Sequence, residues 1–370
     1  MKLNLNQILS LLCLVVAAHS ASAQFGGSSG RPLTLPALLT MVRYQNTACQ
    51  GEQQDYGTCL ADQECTRRGG QSVGPCASGY ATCCSFKFTC GGKTNQNETT
   101  FVNPSYPQGD NGTDTCQVTI EKPPNVCQLR MDFEEFTLAQ PDENGLCTTD
   151  SFMVRTTVGE RLPILCGENT GHHMYIDMGR GSANPVVLSV VSNGDKIVRK
   201  WKIKISMIPC NNLDNAPSGC MQFYRSPSAV VKSFNFGPRI EGRARYLSNL
   251  RYTACVRVEE NFCAIKWETD YPSAFSFGAP GDSANATDLG GFSGGICNDD
   301  DFVGIDQGSS DGTHAGDDRF CGTRLTDSNS VISKSKPFQL KVRSNSDQTQ
   351  NALNSQIGFA LRYVQLPCVI

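Results

Sequence analysis

Two stretches of this chain align with each other without a gap: WKIKISMIPC at 201–210 and FALRYVQLPC at 359–368. In the first stretch, Trp201, Ile203, Ile205 and Met207 alternate with lysine and serine. An apolar residue at every second position is typical of a β-strand with one buried face. The first stretch therefore predicts a strand, and its second copy indicates an internal repeat.

The repeat extends outward from these two stretches. Three more segments of the first half match segments of the second half in the same order: CQLRMD (127–132) with CAIKWE (263–268), CTTDSF (147–152) with CNDDDF (297–302), and CG (166–167) with CG (321–322). Both halves favour strands separated by turns, and long amphipathic helices are absent. The chain is therefore predicted to be all-β, with two homologous sandwich or jelly-roll domains.

Residues 1–23 resemble a secretory signal peptide. Lys2 gives a positive end, residues 8–18 form a short apolar core, and ASA at 21–23 is a cleavage site of the A-x-A type. An uncleaved membrane anchor is the alternative, but the apolar run is shorter than the ~18 residues that span a bilayer. We expect a secreted, extracellular protein that begins at Gln24 and has no membrane span.

The cysteines indicate extensive cross-linking. Removal of the signal peptide removes Cys13 and leaves 18 of the 19 cysteines. An even number in an oxidising compartment predicts nine disulfides. A zinc site is the alternative, but only three histidines would remain and no pair of C-x-x-C units is present. Three Asn-x-Ser/Thr sequons fit the secretory route and would mark exposed loops if they carry glycans: Asn97, Asn111 and Asn285.

Composition excludes several functional classes. The chain of 370 residues has a formal net charge of −3 and 18% charged residues, which is typical of a globular protein and not of a disordered one. No long basic run is present, and the pI is about 5.9. These values argue against nucleic acid, or another polyanion, as the partner.

The first cysteines define a small module. Residues 24–40 are rich in Gly, Ser and Pro and predict a flexible lead-in. Six cysteines then fall within residues 41–86, a segment too small to stabilise itself through an apolar core, so cross-links are expected to hold it. Cys83 and Cys84 are adjacent, and we expect them to bond to different partners.

The two larger repeats resemble a known family, the CUB domain. Residues 87–210 carry its motifs in order: CGG (90–92), FVNPSYP (101–107), Cys116, FEEF (133–136), CTTD (147–150) and CG (166–167). Residues 211–370 are a more divergent match, with these corresponding elements: Cys220, VKSFNF (231–236) and IGFALRY (357–363). The resemblance implies a β-sandwich of two antiparallel sheets in each repeat, which the strand pattern also predicts.

The resemblance also implies a disulfide scheme. CUB domains pair their first cysteine with the second and the third with the fourth, which here gives Cys90–Cys116, Cys147–Cys166, Cys220–Cys255 and Cys297–Cys321. Each repeat has two further cysteines in strand-like segments, and a bond from the early strand to the closing strand would leave no thiol unpaired: Cys127–Cys210 and Cys263–Cys368. The first six cysteines resemble a clip-type module, whose pattern implies Cys49–Cys83, Cys59–Cys76 and Cys65–Cys84.

A clip-like module before CUB-type repeats is similar to a family of secreted arthropod CUB-domain proteins. The segment CGENTGHHMYID (166–177) looks like the signature of that family. Most of its members have no assigned activity, so the resemblance implies little about function.

The clip-like module raises the question of protease activity. GFSGG (291–295) resembles a serine nucleophile motif, but Phe292 stands where that family has an aspartate, and no segment supplies the histidine base. A loop before Cys297 explains the segment. His172 and His173 are interpreted as an exposed loop pair rather than a general base. We expect no enzymatic activity.

Some CUB domains bind calcium through acidic side chains near the third cysteine. Asp150 and Asp300 match one ligand position and are weak calcium candidates. The glutamate that should follow the Phe-x-Leu element is Ala139, and SN stands at 192–193 and at 344–345 where the family has Ser-Asp. Each loss of a carboxylate weakens a calcium site, so we expect no required metal or other cofactor.

Recognition is the function that remains. The first hypothesis is a non-enzymatic binding or adaptor protein that recognises extracellular proteins or glycans through loops on a rigid sandwich. The alternatives are a structural component of extracellular matrix or cuticle, and a catalytically silent regulator of a clip-protease cascade. The sequence does not separate these hypotheses and does not give the oligomeric state.

Overall fold

The computed structural model describes residues 46–51, 55–156, 161–179, 185–194, 196–238, 245–278, 290–297, 301–312, 316–346 and 357–368. The expected signal peptide and lead-in lie outside these residues, as do Asn285, Asp300 and His314. None of the helices in the described part of the chain has the length and apolarity that a membrane crossing requires.

A small N-terminal module comes first. It contains one helix, α1 (Asp62–Arg67), a 3-10 turn at Ala77–Gly79, and four strands: β1 (Ala48–Gln50), β2 (Tyr56–Leu60), β3 (Gln71–Cys76) and β4 (Ala81–Phe88). Acidic residues in the first turn of α1 and Arg67 in the last turn complement the helix dipole. The apolar core is limited to Leu60, Phe86 and the disulfide of Cys65 with Cys84, so the module depends on its cross-links.

The first sandwich follows. One sheet has the order β6 (Thr99–Val102), β12 (Lys200–Pro209), β8 (Val126–Thr137), β10 (His173–Asp177), and the facing sheet has the order β5 (Gly92–Thr94), β7 (Thr115–Ile120), β11 (Val186–Ser192), β9 (Asp150–Arg155). Strand β4 pairs in parallel with β6, with Phe86 opposite Thr99 and Phe88 opposite Phe101. The sheet of the N-terminal module therefore continues directly into the first sandwich.

The second sandwich repeats this arrangement with added strands. One sheet has the order β13 (Gln222–Tyr224), β15 (Arg251–Val256), β22 (Gln339–Arg343), β19 (Phe302–Gly308), β20 (Asp317–Gly322), β18 (Gly291–Ser293). The facing sheet has the order β14 (Ser228–Lys232), β23 (Gly358–Pro367), β16 (Phe262–Thr269), β21 (Ser330–Ser333), and β17 (Phe275–Ser276) also pairs with β23. A 3-10 turn covers Gly294–Cys297.

The two aligned stretches form the central strands β12 and β23. Trp201, Ile203, Ile205 and Met207 are buried, and the lysines and serine between them are partly exposed, which confirms the predicted alternation. In β23 the matching positions are also buried: Phe359, Leu361, Tyr363 and Gln365. Gln365 fits because its amide donates to the carbonyl of Arg257 at 2.9 Å and accepts from the N–H of Glu259 at 3.0 Å.

The prediction of an all-β chain with two sandwiches after a disulfide-rich module is confirmed. The buried apolar side chains of the two sandwiches form one continuous cluster. Nine disulfides cross-link the described residues, and they join the pairs that the sequence analysis expects: Cys49–Cys83, Cys59–Cys76, Cys65–Cys84, Cys90–Cys116, Cys127–Cys210, Cys147–Cys166, Cys220–Cys255, Cys263–Cys368 and Cys297–Cys321.

Candidate functional site

The calcium candidate of the first sandwich forms a buried ion pair with an arginine. Asp150 begins β9, and Arg199 directly precedes β12; each is only 1% exposed. Arg199 Nε donates to Asp150 Oδ2, and Arg199 Nη2 donates to Asp150 Oδ1, both at 2.8 Å. The N–H of Ala139 donates to Asp150 Oδ2, also at 2.8 Å. Both carboxylate oxygens therefore already accept hydrogen bonds.

Arg199 also fixes the surrounding loops. Nη1 donates to the carbonyls of Gly112 at 3.2 Å and Ile197 at 3.1 Å, and Nη2 donates to the carbonyl of Gly194 at 2.6 Å. With the two bonds to Asp150, every N–H of the guanidinium has an acceptor. The arginine thus does what a bound cation would do, since it neutralises the aspartate and holds two loops against the strand.

These residues do not fit calcium, and the weak candidacy of Asp150 is corrected accordingly. Calcium needs several oxygen ligands. Here a guanidinium occupies the carboxylate, and Ala139 contributes an N–H donor where the family pattern has a glutamate. Among the described residues, no group of three or more His, Cys, Asp or Glu side chains is placed to hold a metal ion.

In the second sandwich the equivalent aspartate is Asp301, one position after the expected Asp300. Val303 is fully buried and Phe302 is partly exposed, so the strand enters the core one residue later than the sequence match implies. Asp301 is 2% exposed. Its Oδ2 accepts from the hydroxyl of Tyr246 and its Oδ1 accepts from the N–H of Asn345, each at 2.6 Å. Asp300 itself lies outside the described residues.

His172 and His173 lie between the two sandwiches, and their interpretation as an exposed loop pair is wrong. His172 packs on Phe234 with ring centroids 5.1 Å apart, and His173 packs on Tyr224 at 4.9 Å. His173 Nε2 accepts from the N–H of Phe223 at 3.1 Å. Burial, helped by nearby positive charge, lowers the pKa of His172 to about 3 and that of His173 to about 4, so both rings are neutral at physiological pH.

Amide side chains extend the contact between the sandwiches. Asn235 Oδ1 accepts from the backbone N–H of Glu168 at 2.8 Å. The backbone N–H of Asn235 donates to Asn169 Oδ1, also at 2.8 Å. Gly167 makes this approach possible: it has φ 76°, and a Cβ atom there would lie 2.2 Å from Asn235 Oδ1. Any larger residue at this position would push the two sandwiches apart.

A second set of bonds lies on the other side of the contact. Gln128 Nε2 donates to the carbonyl of Ala216 at 2.9 Å, and Gln128 Oε1 accepts from the N–H of Ala216 at 2.8 Å. The N–H of Tyr175 donates to the carbonyl of Met221 at 2.7 Å. The segment at 166–177 and Gln128 thus both make contacts toward the second sandwich, and we call them and their partners the joint.

The serine motif does not form a catalytic site in the described residues. Ser293 lies at the end of β18, and its hydroxyl donates to the carboxylate of Asp317. The two described histidines, His172 and His173, contact residues of the joint instead. The serine is thus placed beside a carboxylate, without a described imidazole between them.

The sequons differ in exposure. Asn111 is exposed on the loop that Arg199 holds. Asn97 is partly buried, because its Oδ1 accepts from the N–H of Met207 and its carbonyl accepts from the hydroxyl of Thr58 in the N-terminal module. Of the two described sequons, Asn111 is therefore the one on an exposed loop. Asn285 lies outside the described residues, and glycosylation itself stays a prediction.

The sequence analysis missed Arg199, although a signal was present. The alternation of buried positions 201, 203, 205 and 207, continued two residues back, falls on Arg199. A charge in phase with the buried face of a strand needs a buried partner of opposite charge. The joint had no comparable signal, because its contacts join residues far apart in the chain.

Two family models match the chain, one in each sandwich. The CUB domain model matches residues 90–204, and the animal CUB domain model matches residues 217–366. The chain is similar to the CUB1-EGF-CUB2 domains of rat MASP-1, with 13% identity, 76% of this chain and 99% of that chain covered, and a TM-score of 0.25. The chain is also similar to the MASP-1 CUB2 domain bound to Ca²⁺, with 17% identity, 32% of this chain and 98% of that chain covered, and a TM-score of 0.27.

A third similar structure is the full extracellular region of zebrafish Gpr126/Adgrg6, with 12% identity, 75% of this chain and 35% of that chain covered, and a TM-score of 0.26. No curated protein matches the chain. The matched residues of the two family models fall in the first and second sandwiches respectively. This chain therefore contains two consecutive CUB domains.

Proposed function

We propose that the protein is a secreted, non-enzymatic binding or adaptor protein that recognises extracellular partners through loops of its two CUB domains. CUB domains typically mediate protein–protein interactions in extracellular proteins, and the many disulfides are typical of that compartment. Proteins are the primary partners in this proposal, and glycans are the second class.

The observation that carries the proposal is the joint. Hydrogen bonds from Asn235 and Gln128, together with packed histidine and aromatic rings, hold the two sandwiches against each other. Loops bind with less loss of conformational entropy when the elements that carry them are rigid. Two cross-linked sandwiches fixed in one orientation therefore provide a surface wider than either domain alone.

The N-terminal module adds a finer proposal. Its three disulfides have the clip-like pattern, and β4 extends the sheet of the first sandwich. We also propose that this module is clip-like and that the chain is related to secreted arthropod CUB-domain proteins. A regulator of a clip-protease cascade would then use the module and the sandwiches as one surface.

Cross-linking and mass spectrometry with the full secreted chain test this function. The immobilised protein should capture extracellular proteins whose cross-links map to loops of the sandwiches. Material that deposits in an insoluble matrix without any soluble partner would overturn the proposal in favour of the structural alternative. Labelling of Ser293 by a fluorophosphonate probe, abolished in Ser293→Ala, would overturn the non-enzymatic part.

A further inference from the structure

A wide cleft lies between the two sandwiches, on the side of the joint where β15 and β22 face the 161–164 segment. Its volume is about 1170 Å³, and a neighbouring cavity of about 470 Å³ shares three of its arginines. The arginines of the cleft are Arg161, Arg251, Arg319 and Arg343. Among the described residues that line the cleft and its neighbour, none is an aspartate or a glutamate.

Two of these arginines stand directly opposite each other. Arg251 on β15 is the cross-strand neighbour of Arg343 on β22. Like charges in this position destabilise a sheet. Burial first, and then the charge of Arg251, lower the pKa of Arg343 from its ordinary value. Within the described part of the chain, neither arginine forms an ion pair with an acidic residue.

The row of side chains continues across the sheet. Arg343 is also the neighbour of Phe302 on β19, and the guanidinium of Arg319 lies 4.8 Å from the centroid of the Phe302 ring. A guanidinium that stacks on an aromatic face is fixed in orientation. The sheet thus presents arginines in defined positions on one side of the cleft.

The opposite wall carries apolar side chains beside Arg161. Leu162, Pro163 and Ile164 of the first sandwich line it, and Ile164 is 50% exposed. A sulfated glycan has the anionic groups that arginines bind but no apolar side chains to cover this wall. A peptide that carries both carboxylates and apolar side chains complements both walls, and carboxylates accept bidentate hydrogen bonds from arginine.

We propose that this cleft binds an acidic peptide segment, with interspersed apolar residues, of an extracellular partner protein. The inference rests on the proposed binding function and names the chemistry of its partner. The chain is acidic overall, but the fold gathers arginines from four separate segments along one cleft. The net charge therefore does not describe the cleft.

Fluorescence anisotropy with a synthetic probe tests the proposal. The probe is a short fluorescein-labelled peptide in which glutamate alternates with leucine, and its twin carries glutamine in place of every glutamate. The full chain should bind the first peptide and not the twin, and higher salt should weaken binding. Arg251→Gln and Arg343→Gln should each weaken binding about tenfold or more, because each removes a charge-assisted hydrogen bond.

Two controls separate binding from folding. Arg67→Gln changes an exposed arginine of α1, 73% exposed, and should leave peptide affinity unchanged. Arg343→Gln removes one of two facing like charges, so the free protein should melt at the same or a higher temperature than the wild type. A lower melting temperature for Arg343→Gln would overturn the proposal, because the arginine would then be structural.

The remaining outcomes decide between ligands and between proposals. Binding of heparin oligosaccharide without binding of the peptide would overturn the peptide in favour of a sulfated glycan. Equal affinity of Arg67→Gln, Arg251→Gln and wild type for the peptide would overturn the cleft as its site. In the capture experiment, equal recovery of partners by wild type and by the Arg251→Gln, Arg343→Gln double variant would overturn the cleft and leave the binding function standing. No recovery by wild type would overturn the binding function itself.

Discussion

The two sandwiches bury an aspartate at equivalent positions, at or just before a strand start, and surround it with different donors. Asp150 in the first sandwich is paired with Arg199, which uses all its N–H groups within the protein. Asp301 in the second sandwich accepts from a phenolic hydroxyl and from a backbone N–H. Both side chains are almost completely buried.

The comparison teaches that different protein donors can hold the buried carboxylate at this position of the fold. A buried carboxylate must have donors. In one repeat a guanidinium pairs with the carboxylate, and in the other a phenolic hydroxyl and a backbone N–H are among its donors, so loss of the arginine and loss of the hydroxyl should have different effects. The predictions below test this contrast, from the largest expected effect to the smallest.

Removal of the arginine should have the largest effect. Arg199→Ala leaves Asp150 buried without its charge partner, which typically costs about 3–5 kcal/mol of unfolding free energy. Chemical denaturation of the full chain measures the loss. The double change Arg199→Met with Asp150→Leu should recover much of it, since a buried pair replaced by apolar residues is often tolerated.

A matched control is the more exposed pair of Lys341 with Asp306, each about 40% exposed. Lys341→Ala should cost no more than about 1 kcal/mol. If Arg199→Ala costs no more than this control, the ion pair does not organise the first sandwich and the contrast between the two sites disappears.

The matching disulfides of the two sandwiches provide the second test. Cys127→Ser and Cys263→Ser should each cost about 2–5 kcal/mol. The first should release Cys210 as the one new thiol, and the second should release Cys368. Peptide mapping after thiol labelling identifies the released residue. A different released partner, or a reactive thiol in the wild type, would contradict the pairing.

Acid should loosen the joint that holds the sandwiches together. The pKa values of His172 and His173, about 3 and about 4 in the folded protein, lie below the value of about 6.5 expected in the unfolded chain. The unfolded state therefore binds more protons below pH 6.5. The free energy of unfolding should fall by about 1.4 kcal/mol per pH unit for each histidine as pH decreases toward 4.

Denaturation at a series of pH values between 7 and 5 measures this slope. Glu64 and Glu135 have a lowered pKa in the folded protein, and carboxyl groups contribute only a small part of the slope above pH 5. The double variant His172→Asn, His173→Asn should lose most of the slope. A wild-type stability that stays constant from pH 7 to pH 5 would show that packing at the joint does not lower the pKa of the two imidazoles.

The sequence predicted the scaffold better than the contacts that the scaffold makes. The alternation of apolar residues in 201–207 is a local pattern, and it predicted a strand. The order of the cysteines can be read along the sequence, and it helped to predict the two sandwiches. The position of Asp301 was missed by one residue, because the alignment on Cys297 and Phe302 does not show which strand residue enters the core. The joint and the arginine cleft join distant segments, so no local pattern reports them.

Loss of the tyrosine hydroxyl should have a smaller effect than loss of the arginine. Tyr246→Phe removes the donor at 2.6 Å from Asp301 Oδ2 and leaves the N–H of Asn345 in place. A buried hydrogen bond to a charged group contributes about 1.5–3 kcal/mol, which is below the cost expected for Arg199→Ala. Denaturation under the same conditions compares the two. An equal or larger loss for Tyr246→Phe would reverse the contrast between the sandwiches.

Calcium should have the smallest effect. In the first sandwich Arg199 holds both oxygens of Asp150, and an ion could bind only if it displaced a guanidinium that has every N–H bonded. Ala139 offers an N–H where a ligand oxygen is needed. The melting temperature of the wild type should therefore be the same in millimolar calcium and in chelator. A calcium-dependent increase of several degrees that is lost in Asp150→Asn would show that the ion competes successfully with Arg199. The same increase retained in Asp150→Asn would place the ion elsewhere in the chain, and the account of Asp150 would stand.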